Sequence, residues 1–298
     1  TSVSIGIIIS GTALIARALG ARDRARARQL GGSFLLFALL VSVTLVVVAM
    51  PLIEAILTAL GATGTTHAIT ARFLTIVLPS TPLFAIGMAA TGILRAVGDA
   101  RRSMWVTLGA AFVTAALDPI FIFLLGLGLD GAAIVSVVAR VLMAFLGLRG
   151  AIRVHDLAAR PSLAGFVADV RALLTIAVPA VMTNVATPVG NVFVTAALAA
   201  FGDPAIAAWA VIGRLLPLAF APVFALSGAI GPILGQNFGA RRIDRVRRAL
   251  TESLLLVNIY GVAVWAVLAL ARSYVVAIFG LSGVAAALSA FFMLWLLG

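Results

Sequence analysis

The sequence contains no cysteine and no lysine, only two histidines, and ten acidic residues in 298 positions. Without cysteine there is no disulfide, no thiol nucleophile and no thiolate metal ligand. His67 and His155 fall in polar connections with no partners at ligand spacing, so they read as surface histidines rather than metal ligands. Charge of either sign is scarce: 10% of residues are charged against 63% hydrophobic, and the mean hydropathy is +1.21. A soluble domain needs more polar surface than that to cover its core. Period-two alternation is also missing, which argues against strands and a barrel.

What fills the chain instead is a series of long, nearly charge-free runs. Each is long enough to cross ~30 Å of hydrocarbon, which takes about 20 helical residues. Helices are expected at about 1–19, 31–58, 68–94, 103–127, 131–152, 172–200, 206–238, 249–279 and 284–298. The expected fold class is therefore an all-α integral membrane protein, a polytopic multi-pass helix bundle. Thr1 and Gly298 both lie inside apolar runs and no signal peptide precedes the first. That pattern is expected of a longer protein with both ends outside this chain.

All 21 basic residues are arginine, and the net charge is +11. Nucleic acid is the obvious partner for so basic a chain, but no aromatics interleave with the arginines, and that partner is rejected. Their placement speaks for topology. Arg17, Arg22, Arg24, Arg26 and Arg28 mark the first connection, and Arg95, Arg101 and Arg102 the third. Arg149, Arg153, Arg160 and Arg171 mark the fifth, and Arg241, Arg242, Arg245, Arg247 and Arg248 the seventh. The even connections carry none. Such alternation is the positive-inside pattern and predicts cytoplasmic odd connections.

Gly20-Ala21-Arg22, followed by Arg26 and Arg28, returns 219 residues later as Gly239-Ala240-Arg241, followed by Arg245 and Arg247. Both copies end a span that runs toward the arginine side, so the repeat is parallel. It predicts two lobes, 1–152 and 172–298, joined by a polar linker at 153–171.

Several motifs, in order, resemble the multidrug and toxic compound extrusion (MATE) family. They are Gly92-Ile93-Leu94-Arg95-Ala96-Val97-Gly98-Asp99; Leu117-Asp118-Pro119-Ile120-Phe121 followed by Gly131-Ala132-Ala133; and Gly231-Pro232-Ile233-Leu234-Gly235-Gln236-Asn237-Phe238-Gly239-Ala240. The resemblance implies a twelve-span architecture of two six-helix lobes, of which this chain holds spans two to nine and part of ten. It also implies a plasma-membrane antiporter that exports amphipathic organic cations against inward proton or sodium flow, working as a monomer without any other cofactor.

Asp118 is the residue to weigh. An aspartate near the bilayer centre costs about 2.5–3.5 kcal/mol on insertion scales, so it faces a cavity or a partner. It either pins packing beside Pro119 or serves as a cation site, since a desolvated carboxylate loads and releases a proton and sodium wants several oxygens. In the branch of the family named for DNA-damage-inducible proteins, an asparagine stands one turn earlier. Here that position is Thr114, and the matching hydroxyl on the next span is Ser136. Thr114, Asp118 and Ser136 thus form the expected cation site.

Arg140, one turn after Ser136, is placed by helical rise at about the depth of Asp118 and is a candidate ion-pair partner. Asn184, Thr187, Asn191 and Thr195 form one polar stripe on an apolar helix interrupted by Pro188, the expected wall of a substrate cavity. Ser227, Gly231, Gly235 and Gly239 read as close helix packing. Two other readings fit parts of the sequence. A flippase for lipid-linked or polysaccharide precursors would want an arginine-lined cavity, which Arg140 and Arg214 could supply. An intramembrane aspartyl protease would need a second deep carboxylate, which the sequence does not provide.

Overall fold

The computed structural model describes residues 2–59 and 61–295; Thr1 and 296–298, at the ends of the first and last expected helices, lie outside the described residues. Ten helices follow one another: α1 (Ser2–Gly20), α2 (Arg24–Ala59), α3 (Gly64–Val97), α4 (Ala100–Leu124), α5 (Gly128–Val154), α6 (Leu163–Ala199), α7 (Asp203–Ala219), α8 (Ala221–Gly239), α9 (Ile243–Ile278) and α10 (Gly283–Trp295). Seven are long and apolar enough to cross a membrane, eight crossings in all if α7 and α8 form one span. The chain is a multi-pass membrane protein, with no strand among the described residues.

Prolines explain where the expected helices break. The apolar run expected at 206–238 bends by 45° between α7 and α8. Pro217 and Pro222 flank the break and remove two backbone donors that a continuous helix would use. Pro79 makes a short 3₁₀ turn at Leu78–Ser80 inside α3. Pro119 is followed by a wide π turn at Ile120–Leu124, where the Leu125 N–H reaches back to the Ile120 carbonyl. Little of the expected linker is unstructured: α5 runs to Val154 and α6 already starts at Leu163.

The two copies of the Gly-Ala-Arg sequence fold alike. Arg22 and Arg241 both take left-handed backbone, at φ 60° and 56°. The N–H groups of Ala21, Arg22 and Asp23 bond the carbonyls of Arg17, Leu19 and Ala18; those of Ala240, Arg241 and Arg242 bond Gln236, Phe238 and Asn237, the same pattern. The copies also pack on each other reciprocally. A methyl group on Gly20 would strike the Gln236 carbonyl oxygen, and one on Gly239 would strike that of Arg17, the position equivalent to Gln236. Ala16 and Gly235, themselves equivalent, meet between these contacts. Reciprocal contact of this kind marks a local two-fold axis, and it closes the arginine-bearing end of the α1–α8 seam. Arg17 also lies over the Phe238 ring, 4.9 Å from its centroid.

Burial is uneven. One core cluster joins α1, α2, α3 and α6 through Ile15, Phe34, Ile93 and Leu173. A second joins α3, α4 and α5 through Leu94, Val106, Ala110, Ala139 and Met143. Beyond α6 burial is sparse: among the described residues α9 buries Ala269 alone. The contact of α7 with α10 rests on an edge-to-face pair, Trp209 and Phe292, at 5.7 Å.

The connection after α5 is docked rather than loose. Leu157 is buried, and the Ala159 N–H bonds the Arg28 carbonyl at 3.0 Å. Gly31 and Gly32 of α2 allow this approach, because a side chain at either would run into the Leu157 or Ala159 carbonyl. Asp169 on α6 then reaches back to α2. It is fully buried, 2.6 Å from the Arg26 guanidinium, and accepts hydrogen bonds from Ser33 (2.6 Å) and Gln29 (3.3 Å).

Candidate functional site in the α4–α5 pair

Helices α4 and α5 are antiparallel neighbours joined by the short turn at 125–127. Their register follows from what meets what. Gly131 packs against the Phe121 carbonyl near the turn, and Gly109 lies beside Leu146 and Leu142 farther along. In that register Ser136 on α5 stands nearly level with Asp118 on α4, and Thr114 lies about one turn closer to the arginine-bearing end. All three are half-buried. Thr114 donates its hydroxyl to the Ala110 carbonyl of its own helix at 3.0 Å, which leaves its oxygen as an acceptor. Asp118 forms no side-chain hydrogen bond and no ion pair among the described residues.

The expected pairing of Asp118 with Arg140 is not formed. In the observed register Arg140 sits about 8 Å nearer the arginine-bearing end than Asp118. Arg140 is also already occupied. Its Nη1 donates to the Val77 carbonyl at 2.8 Å and to the Ser80 hydroxyl at 2.9 Å, and its guanidinium lies 5.6 Å from the centre of the Phe84 ring. The cause lies in the break at Pro79. The Thr81 N–H turns to the Leu78 carbonyl across the 3₁₀ turn, so Val77 lacks its usual helical donor. The Ser80 hydroxyl and Arg140 supply donors in its place. The signal was in the sequence, as a proline three residues before Pro82 and beside a serine in an apolar span.

The polar stripe on α6 does lie on one helix, but it is not packed between helices. Asn184 is half-buried and donates to the Ala180 carbonyl at 2.8 Å. Thr187, Asn191 and Thr195 are exposed, and Thr195 donates to the Asn191 carbonyl at 2.8 Å.

Both histidines, expected to be surface residues without partners at ligand spacing, have carboxylate partners, His155 at the arginine-bearing end. His155 bonds Asp99 at 2.7 Å, with both side chains largely buried. At the opposite end His67 lies 3.2 Å from Glu54, and Arg72 bridges to Asp130 at 2.7 Å. Asp99 also caps α4, accepting from the Arg102 N–H at 3.0 Å and from its guanidinium. Burial alone would raise its pKa, but the Arg102 side-chain and backbone donors and the His155 ring outweigh that and hold it at about 2. His155 and Arg26, which meet Asp99 and Asp169, come from distant segments that no local sequence signal joins to them.

Helices α3, α4 and α8 line a cleft of about 550 Å³. Arg95 projects into it from α3, and Gln236 of α8 crosses it to donate to the Ala96 carbonyl at 2.6 Å.

The sequence profile of the MatE family matches residues 1–120 and 179–298. Over 271 residues, covering 87% of this chain, the sequence is 28% identical to the FAD transporter of Shewanella oneidensis. Over 269 residues, again 87% of this chain, it is 26% identical to a probable multidrug resistance protein of Bacillus subtilis. The chain spans 59% and 58% of the lengths of those two relatives. The fold superposes on the Vibrio cholerae MATE transporter VcmN with a TM-score of 0.93 at 25% identity, covering 98% of this chain and 67% of that one.

Proposed function

The chain belongs to the MatE family, and on that premise we propose that it exports small organic molecules across the plasma membrane by ion-coupled alternating access. Asp118 is the coupling carboxylate in this reading, with Thr114 and Ser136 as neighbouring oxygens. The observation that carries it is a carboxylate without a side-chain partner among the described residues, in an apolar span, with the Ser136 hydroxyl at about its level and that of Thr114 one turn away. Such a group is available to a proton or to sodium, whereas one already paired with arginine would not be. The coupling ion is H⁺ or Na⁺, and the substrates are amphipathic organic cations that pass along the Asn184, Thr187, Asn191 and Thr195 stripe. The similarity to a probable multidrug resistance protein supports the export class. The reciprocal α1–α8 contact supplies a seam about which the regions on either side could rock, with the arginine-bearing end closed.

The test is Asp118→Asn, which keeps shape and hydrogen bonding while removing the titratable charge. Membrane levels should stay normal while efflux is lost, with no proton or sodium dependence in any residual activity. Near-normal efflux by this variant would remove Asp118 from the site. Arg140→Gln should leave the efflux–pH profile where it is, because Arg140 serves the α3 break and not the carboxylate.

A further inference from the structure

We propose that the cleft between α3, α4 and α8 holds the phosphate of an anionic membrane lipid, with Arg95 as the recognising residue. The site is separate from Asp118 and does not depend on what the protein exports.

The argument starts from charge. Arg95 forms no ion pair among the described residues, and its Nε is buried with no acceptor. Among the described residues it is the single charged side chain lining the cleft. The nearest acidic group along the chain, Asp99, is turned away and engaged by Arg102 and His155. A half-buried guanidinium with an unmet donor calls for an anionic oxygen, and phosphate suits its planar fork.

Shape and depth choose among anions. Apart from Arg95 and Gln236 the walls are mostly apolar, with Met88 and Met104 on one side and Pro232 and Ile233 on the other. A free phosphate gains nothing from such walls, but a hydrocarbon tail does. Arg95 lies only two residues from the end of α3, at the end of the bundle where the arginines collect, so a bilayer puts headgroup phosphates at its level. The cleft is also built from both sides of the α1–α8 seam. Arg95 comes from α3, while Gly228 of α8 sits opposite, where a methyl would lie 3.1 Å from the Arg95 Nη1. A lipid held there bridges the seam.

The test uses the protein in neutral maltoside micelles, with dioleoyl phosphatidic acid as the probe. Apparent affinity is read from the rise of melting temperature with lipid concentration. Arg95→Gln should weaken binding about tenfold or more, as expected for losing a charged hydrogen bond. Arg95→Lys should keep part of it. Arg242→Gln, at an exposed arginine of the same end, should leave the affinity unchanged. Should Arg95→Gln fail to fold, Gly228→Val crowds the guanidinium from the opposite helix and should give the same loss. The proposal is overturned if Arg95→Gln and Arg242→Gln weaken binding equally, or if inorganic phosphate stabilises the protein at concentrations as low as the lipid does.

Discussion

The turns at Gly20–Asp23 and Gly239–Arg242 begin with the same three residues and follow the same backbone path, down to the left-handed arginine and its three hydrogen bonds. The helices that leave them meet different fates. After the first turn, Gln29 and Ser33 point to Asp169, and Gly31 and Gly32 carry the connection beyond α5. The equivalent positions after the second turn are Arg248 and Glu252, which pair with each other in solvent at 2.7 Å, and Leu250 and Thr251, which leave no room for a backbone to lie on the helix. The turn is thus a property of local sequence. What docks on it is decided one helical turn later, by whether the helix shows glycine and neutral hydrogen-bonding groups or a self-satisfied ion pair.

The sharpest way to break that comparison is to exchange side chains between the copies. Gly31→Leu forces the helix and the connection apart and draws buried Leu157 out of the core. A loss of about 3 kcal/mol or more is expected, seen as a lower melting temperature in detergent or as loss of protein from the membrane. The reciprocal change, Leu250→Gly, alters an exposed position and should cost only about 1 kcal/mol of helix propensity. Equal effects at the two positions would mean that the docked connection contributes nothing.

Asp169 comes next in size. Asp169→Ala leaves the Arg26 guanidinium and the Ser33 hydroxyl without their acceptor. It should cost about 2–4 kcal/mol, less than a wholly buried pair because Arg26 keeps contact with water. After the second turn, Glu252→Gln opens an exposed pair and should leave the melting temperature unchanged. A marked loss from Glu252→Gln would show that exposure is a poor guide to which copy carries stability.

These contrasts also mark what was legible in the sequence. Hydropathy and arginine placement are local signals, and they yielded the spans, the class and the repeat, because each needs only neighbouring residues. The bend between α7 and α8 was written in Pro217 and Pro222 but read through as one helix, since both lie in apolar surroundings. Thr114, Asp118 and Ser136 could be grouped by their resemblance to the family's motifs. Arg140 could not be placed, because its level depends on the antiparallel register and on the wide turn after Pro119, and its partner depends on a break in a helix 60 residues earlier. Arg95 reads as a topology marker in sequence. Its cleft exists only because α8 returns against α3.

Caps offer a smaller exchange. Asp23 accepts from the Arg26 N–H at 2.8 Å and so caps α2, whereas Arg242 at the equivalent position leaves α9 without a side-chain cap. Asp23→Ala should cost about 1 kcal/mol, and Arg242→Asp should add up to about 1 kcal/mol by supplying both the acceptor and a favourable charge at the helix start. If Arg242→Asp destabilises instead, the arginine there is needed for a contact that the bare turn does not show.

A third turn of the same kind tests the charge apart from the cap: there Gly98 takes the left-handed place at φ 93° and Asp99 caps α4. Asp99→Asn keeps the shape and a cap acceptor, and loses only the charge that Arg102 and His155 hold. The folded pKa of Asp99, about 2, lies below its ordinary value of 3.8, so the unfolded chain binds its proton first as pH falls. The stabilisation is therefore present in full above about pH 4 and disappears as the pH drops through 2. Melting curves of the wild type and of Asp99→Asn should run parallel from pH 7 to about 4 and converge between 4 and 2. A gap that widens on acidification would reverse the sign and show that the carboxylate is held in its neutral form. A gap that stays constant to pH 2 would show that the ion pair adds nothing to the cap, and would make the third turn energetically equivalent to the first.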